Sequence, residues 1–211
     1  MDKRGILVVV SGFSGAGKGT IMKRLLEDYS DSYALSISAT TRLPRPGESH
    51  GREYFFVSKE EFEEMIEEDA LIEYARYVNN YYGTPKDYVF RELEAGRDVI
   101  LEIEIQGALK VKEAYPDTLL LFVSPPSAGE LKDRLMNRGT EDIAAIESRL
   151  NRAWQEAQGV ENYDYFVIND DLEECVQEIN NIIKNEHARV ARNHAVIENI
   201  RAELKSFAKG D

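Results

Sequence analysis

The chain has 211 residues. That is long enough for one domain with smaller lobes, and a chain of this length buries roughly 70–75% of its unfolded surface without covalent staples. Hydrophobic residues make up 43% and charged residues 31%, which excludes a disordered chain and a membrane-embedded one. With 26 Lys+Arg against 39 Asp+Glu the net charge is −13, which argues against a general nucleic-acid binder or a polybasic membrane binder and leaves room for a local anion pocket.

In chain order, residues 6–10 (ILVVV) open the first strand. Residues 20–29 (TIMKRLLEDY) then read as a helix with Ile21, Leu25 and Leu26 on one face, and a short run at 35–38 as a further strand. Residues 40–83 break the rhythm with Pro, Gly, aromatics and an acidic helix at 59–69, and read as an inserted lobe. In that helix Phe62, Met65 and Ile66 are expected to point inward and the acidic side chains outward. Residues 88–95 suggest a helix capped by Gly96. Residues 99–103 (VILEI), 119–123 (LLLFV) and 166–168 supply three more apolar runs, whose lack of alternation suits parallel strands covered on both faces. A helix follows Pro125-Pro126 at 127–137, and an Arg- and Glu-rich stretch from 137 to 163 reads as a helical flap. Residues 171–207 form one or two helices whose Leu172, Val176, Ile179 and Ile183 pack on the sheet. Trp154 and Met22, Met65 and Met136 are expected to be packing residues. The fold class is α/β with a mostly parallel sheet.

One cysteine, Cys175, permits no intramolecular disulfide and is expected to be buried. His50, His187 and His194 are too scattered for a structural zinc site. The first apolar run is too short for a signal peptide, and no stretch reaches the ~18 apolar residues of a membrane span. A cytoplasmic protein is the expectation.

Chemistry concentrates first at Gly12, Phe13, Ser14, Gly15, Ala16, Gly17, Lys18, Gly19 and Thr20. This GxxxxGK run follows a strand and opens a helix. Its glycines let backbone N–H groups curl around phosphate, the helix end adds partial positive charge, and Lys18 adds a mobile cation. The bland alternative is a Gly-rich turn with a surface lysine. Gly19 stands where a Ser or Thr usually ligates magnesium, so the metal would be held mainly by nucleotide phosphates and water. The motif alone implies purine-nucleotide chemistry without separating ATPase, GTPase and small-molecule kinase.

A second anion site is suggested by Arg42 and Arg45 on a loop stiffened by Pro44 and Pro46, with Gly47, Gly51 and Tyr54 following. Arginine forks suit phosphate oxygens, though a basic surface loop would look the same. Glu102 and Glu104, two apart on an apolar run, are expected on the same side of one strand, where unpaired burial is costly. Arg134 and Arg138 share a helix face by their i, i+4 spacing, which a solvated face would also show.

The stretch TTRLPRPGESHGREYFFV from Thr40, taken with the GKGT cradle, strongly resembles guanylate kinases, which pass phosphate from ATP to GMP. EYARYVNNYYGT from Glu73, LEIEIQG from Leu101, SPPS from Ser124, RGT from Arg138 and INDD from Ile168 agree with it. The resemblance covers about residues 4–185. It implies a P-loop fold: a five-stranded parallel sheet flanked by helices, with an inserted GMP-binding lobe and a helical lid. The implied organisation is one domain with a core of 1–36, 85–126 and 164–185, a GMP-binding lobe at 37–84, a lid at 127–163 and a helical extension at 186–211. Ser38, Arg42, Arg45, Tyr54, Glu73, Tyr82, Thr84 and Glu104 would surround GMP. Arg42, Arg45, Tyr54 and Tyr82 would hold its phosphate, and Glu73 with Ser38, Thr84 and Glu104 would read guanine. Residues 12–20 would hold the ATP phosphates and Asn169 would lie near adenine. Lys18, Arg42, Arg134, Arg138 and Arg149 would neutralise the transferring phosphoryl, and Glu102 would help organise Mg²⁺ through water. Asp is more frequent in the family at Glu104, and Pro at Phe13.

The base assignment agrees with chemistry. Guanine presents N1–H and N2–H₂ donors side by side to a carboxylate, whereas adenine presents a bare N1 acceptor. By itself Glu73 would pass for an ordinary helix-end glutamate. No general base is required, because the acceptor phosphate is already a nucleophile. The expected partners are ATP and GMP, with dGMP as a further acceptor, no nucleic acid or membrane, and a monomer or homodimer. The competing readings are a kinase for another phosphorylated acceptor and an inactive guanylate-kinase-like module that binds phosphopeptides. The intact cradle argues against the second.

Overall fold

The computed structural model describes residues 4–77, 79–137 and 143–208. Its strands are β1 (Leu7–Gly12), β2 (Tyr33–Leu35), β3 (Ala39–Thr40), β4 (Phe55–Phe56), β5 (Leu71–Tyr77), β6 (Asn80–Pro85), β7 (Asp98–Glu102), β8 (Leu119–Ser124) and β9 (Tyr165–Ile168). Its helices are α1 (Lys18–Asp28), α2 (Lys59–Glu67), α3 (Lys86–Glu94), α4 (Ile105–Ala114), α5 (Ala128–Met136), α6 (Ile143–Ala157), α7 (Leu172–Glu186) and α8 (His194–Ala208).

The main sheet is parallel and ordered β2-β7-β1-β8-β9. Both faces of β1, β7 and β8 are covered, which explains their unbroken apolar runs, whereas the edge strand β9 buries only Val167 and leaves Phe166 and Ile168 exposed, against the expectation for residues 166–168. Val8 and Val10 of β1 pack toward α1 and α7 with Ile21, Leu25, Val176 and Ile179. Leu7 and Val9 pack toward α3 and α4 with Val89, Leu93, Ala108 and Val111. Cys175 is buried in the first of these layers. A second sheet, ordered β4-β3-β6-β5, covers the 37–84 region together with α2. Phe62 is fully buried beneath it, with Met65 and Ile66 packed alongside. A capping box joins Ser58 and Glu61 at the start of α2.

Several sequence expectations shift. The second strand runs from Tyr33 to Leu35, because the residues after it leave the sheet toward the second one. Helix α1 begins at Lys18, with Gly17 as its cap at φ 90°. Helix α4 leaves little apolar periodicity in the sequence, because its buried residues are only Ala108 and Val111. Two packing assignments are corrected: Trp154 is 69% exposed and Met136 53% exposed. Ile146, Leu150 and Ala153 face inward from α6, and a residue one step beyond Ala153 is rotated to the outer side. The tail divides into α7 and α8, and none of the residues of α8 is buried. Among the described residues no helix is long and apolar enough to cross a membrane.

At the N-terminal end of β7, buried Asp98 accepts a hydrogen bond from the Ile6 backbone N–H at 2.7 Å, and His187 Nε2 lies 2.9 Å from the same carboxylate. Removing the carboxylate strands both partners. Asp98→Ala is therefore expected to lower the unfolding free energy by about 3 kcal/mol, measured by urea denaturation. A loss below about 1 kcal/mol would show that water satisfies the site equally well.

Candidate active site

The C-terminal ends of parallel strands are where open α/β sheets bind ligands, and the predicted residues collect there. The phosphate loop leaves β1 directly. Gly12 cannot carry a side chain, since a Cβ would stand 2.1 Å from the Val123 carbonyl oxygen. Gly17 has left-handed backbone, and a Cβ there would lie 2.5 Å from Asn169 Nδ2. Asn169, at the end of β9, donates that nitrogen to the Ala16 carbonyl at 2.7 Å, so it braces the loop. Gly17→Ala is expected to push Asn169 away and weaken ATP binding at least tenfold, read by calorimetric titration; unchanged affinity would contradict this bracing.

Lys18 Nζ donates to the Gly12 carbonyl at 2.8 Å and to that of Phe13 at 3.3 Å, which curls the side chain back over its own loop. Phe13 packs edge-on against Phe122 at 5.0 Å and touches the cluster between α5 and α6, so its side chain anchors the loop. Ser14 accepts a 2.7 Å hydrogen bond from Arg149 Nη1, bringing α6 onto the loop. Gly19 and Thr20 are exposed on the first turn of α1. A cavity of about 570 Å³ is lined by Gly12, Ser14, Lys18, Glu102, Arg149 and Arg152, among others.

Arg134 is held elsewhere. Its Nε donates to Glu130 at 2.8 Å and its Nη2 to the Asn169 carbonyl at 3.0 Å. The structure thus joins it to the end of β9 rather than to the lining of that cavity. Arg138 lies outside the described residues.

A neighbouring cavity of about 460 Å³ is lined by Ser38, Tyr54, Glu73, Tyr82, Glu104 and Lys110, among others. Glu73 reaches it through an irregularity in β5. Leu71 pairs with Pro85 but Tyr74 pairs with Gly83, so β5 carries one extra residue there. Thr84 Oγ1 donates to Glu73 Oε1 at 2.8 Å. Burial pushes the Glu73 carboxyl above the usual carboxylate range, opposed by the Thr84 hydrogen bond and the Lys110 charge. Gly83 must be glycine, because a Cβ would come within 2.9 Å of the Glu73 carbonyl oxygen.

The arginine loop borders the same cavity. Arg42 lies over the Tyr54 ring at 5.4 Å, and Tyr54 meets Tyr82 edge-on at 6.0 Å. Glu48, which the sequence did not single out, ties this loop together. Its carboxylate accepts from Arg42 Nη2 at 2.9 Å and from the Arg45 backbone N–H at 2.7 Å. The hydrogen bond from Arg42 holds the Glu48 carboxyl below its ordinary pKa. The spacing of Glu48 behind Arg42 and Arg45 was the available signal. Ser11 is a second such residue: its hydroxyl donates to the Ile103 carbonyl at 2.6 Å and fixes the end of β7 beside the phosphate loop.

Glu102 and Glu104 do not share a strand. β7 ends at Glu102, and Glu104 is the N-cap of α4. Glu104 turns its carboxylate to Arg152 on α6. Glu102 is open to the cleft on one side and walled by protein on the others; that desolvation pushes its carboxyl upward, against the opposing pull of Lys18. Glu102, Ile103, Glu104 and Arg152 line both cavities, so the two form one continuous cleft.

The arrangement offers a phosphate cradle with a lysine, an adjoining chamber with a hydrogen-bonded carboxylate, and Arg42 at that chamber's edge over Tyr54, while the Arg45 side chain is exposed on the loop. Comparisons with known proteins agree. The guanylate kinase family profile matches residues 4–186. A guanylate kinase of Latilactobacillus sakei is 53% identical over 192 residues, 91% of this chain and 95% of that protein. One from Caldanaerobacter subterraneus is 53% identical over 203 residues, 96% of this chain and 98% of that protein. The crystal structure of guanylate kinase from Anaplasma phagocytophilum superposes with a TM-score of 0.71 at 32% identity, covering 90% of each chain.

Proposed function

This chain belongs to the guanylate kinase family and is an ATP:GMP phosphotransferase, and from that premise we propose how its residues divide the work. The observation that carries the proposal is the continuous cleft, with Lys18 at one end and the Glu73–Thr84 pair at the other. Residues 12–20 hold the ATP phosphates on backbone N–H groups and the α1 terminus. Asn169 shapes the adenine side by bracing the loop at Ala16.

At the other end, the Glu73 carboxylate accepts the paired guanine donors, with Ser38, Thr84 and Glu104 completing the base contacts. Thr84 fixes the rotamer of Glu73 before the base arrives, so little reorganisation is needed on binding. Arg42, Arg45, Tyr54 and Tyr82 take the GMP phosphate, with Glu48 preforming the loop. The acceptor phosphate attacks the γ-phosphorus, the bond to the ADP oxygen breaks, and Lys18, Arg149 and Arg138 offset charge on the transferring group, joined by Arg134 when it exchanges Glu130 and the Asn169 carbonyl for phosphate oxygens. Residues 127–163 act as a lid that keeps water out, residues 37–84 form the acceptor lobe, and the core is 1–36, 85–126 and 164–185, with 186–211 an extension. The residues assigned to the acceptor contact its base and phosphate, and dGMP is proposed as a further acceptor on that ground. The enzyme serves purine nucleotide recycling in the cytoplasm.

Magnesium is part of this reading. Among the described residues no cluster of three His, Cys, Asp or Glu side chains could hold a metal, and Gly19 offers no hydroxyl. The Glu102 carboxylate opens onto the phosphate cavity. That donor set fits a metal carried by the nucleotide phosphates and steadied by Glu102 through water. When bound, Mg²⁺ neutralises phosphate charge. Initial rates measured across a Mg²⁺ titration test this assignment. Transfer should vanish in EDTA, and Glu102→Gln should raise the Mg²⁺ needed for half-maximal rate by roughly tenfold. An unchanged Mg²⁺ requirement in the variant would remove Glu102 from the proposal.

A further inference from the structure

Arg152 lies on α6 and was not singled out by sequence. Its Nε donates to Glu156 Oε1 at 3.0 Å, a contact within one helical turn. That contact directs the rest of the planar fork outward, where Nη2 pairs with Glu104 Oε1 at the start of α4. The ion pair therefore spans from the lid to the core. It does so at one place: Arg152 and Glu104 both line the phosphate cavity and the acceptor cavity. Arg149, one turn earlier on the same helix, reaches the phosphate loop at Ser14. One helix thus touches the donor end through Arg149 and the acceptor end through Arg152.

We propose that Arg152 is a positioning residue that couples seating of α6 to the acceptor cavity by holding the Glu104 carboxylate at the junction of the two cavities. The inference rests on the guanylate kinase reading of that cavity. A cation pinned by Glu156 loses little further rotamer freedom when it meets Glu104, so seating α6 gains the pair at small entropic cost. Filling the cleft with nucleotide displaces water around the pair and strengthens it. Without Arg152, α6 seats less often, Glu104 loses its orientation, and water gains access to the γ-phosphate. The side chains are 43% and 69% exposed, which bounds the effect to that of a partly solvated pair.

The test compares wild type, R152M, E104Q and the double variant in two readouts: KM for GMP, and ATP hydrolysis without acceptor relative to GMP-dependent transfer. R152M is expected to raise both by about fivefold, with thermal stability unchanged. In the E104Q background, R152M should add less than about twofold to either readout, since the partner is already gone. R152M with both readouts unaltered, or with its full effect retained in E104Q, overturns the coupling while leaving the kinase reading intact. A wild-type protein without GMP-dependent transfer overturns the reading and this inference together.

Discussion

Glu73→Gln is expected to lower kcat/KM for GMP by roughly 10²- to 10³-fold while ATP affinity stays within about twofold. The amide keeps the size of the side chain and an oxygen that can accept from Thr84. It replaces the second acceptor with an N–H₂ group that opposes a guanine donor, and it removes the charge that strengthens both hydrogen bonds. The same substitution should stabilise the ligand-free protein. Burial raises the folded-state pKa of Glu73. The folded protein therefore binds that proton more tightly than the unfolded chain does. The stability this provides is complete below the unfolded pKa and is lost as pH rises through the folded one. At neutral pH the charged carboxylate is a cost, which glutamine relieves, so the melting temperature of Glu73→Gln should rise. The KM for GMP in wild type should climb as pH falls through the raised pKa, at a higher pH than an ordinary glutamate would give, and the variant should lack that limb. An unchanged GMP KM in the variant would remove Glu73 from guanine recognition.

Lys18→Met should lower kcat by about 10³-fold, with the melting temperature nearly unchanged. The ammonium lies against the Gly12 and Phe13 carbonyls, and its methylene stem rises from the first turn of α1. Methionine preserves the stem and its packing, so the cost falls on charge at the phosphates. Lys18→Arg should recover little. The arginine fork is wide and planar, whereas the curled loop accepts a compact ammonium with rotatable donors. GMP binding measured without ATP should be unaffected, because Lys18 lines the phosphate cavity and not the acceptor chamber. A loss of GMP affinity equal to the loss of kcat would mean that Lys18 acts through the fold instead.

The main sheet was legible in the sequence because parallel strands covered on both faces must be apolar at nearly every position. β1, with Leu7 and Val9 on one side and Val8 and Val10 on the other, shows why. The phosphate loop was legible because its function requires backbone curvature that glycine alone supplies at Gly12 and Gly17. The strands of the second sheet were hidden. β3 and β4 have two residues each, too few for any period to register. The extra residue in β5 that aims Glu73 depends on pairing with β6, which no local pattern encodes. Glu104 was misread because LEIEI alternates like a strand, while the chain turns into α4 after Glu102. Trp154 looked like core by its size, yet Ile146, Leu150 and Ala153 fix the inward face of α6 and leave it outside. The Arg152–Glu104 ion pair lies between segments whose approach only the folded chain reveals, whereas the Glu48–Arg42 pair is local to one loop and was signalled by its spacing alone.

The most direct measurement is ADP formation from MgATP in a coupled assay with GMP, AMP, UMP, dTMP or no acceptor. Rapid ADP and GDP formation with GMP, and little ADP with the other acceptors or with none, is the predicted result. No GMP-dependent turnover from a sample that still binds ATP would contradict the account.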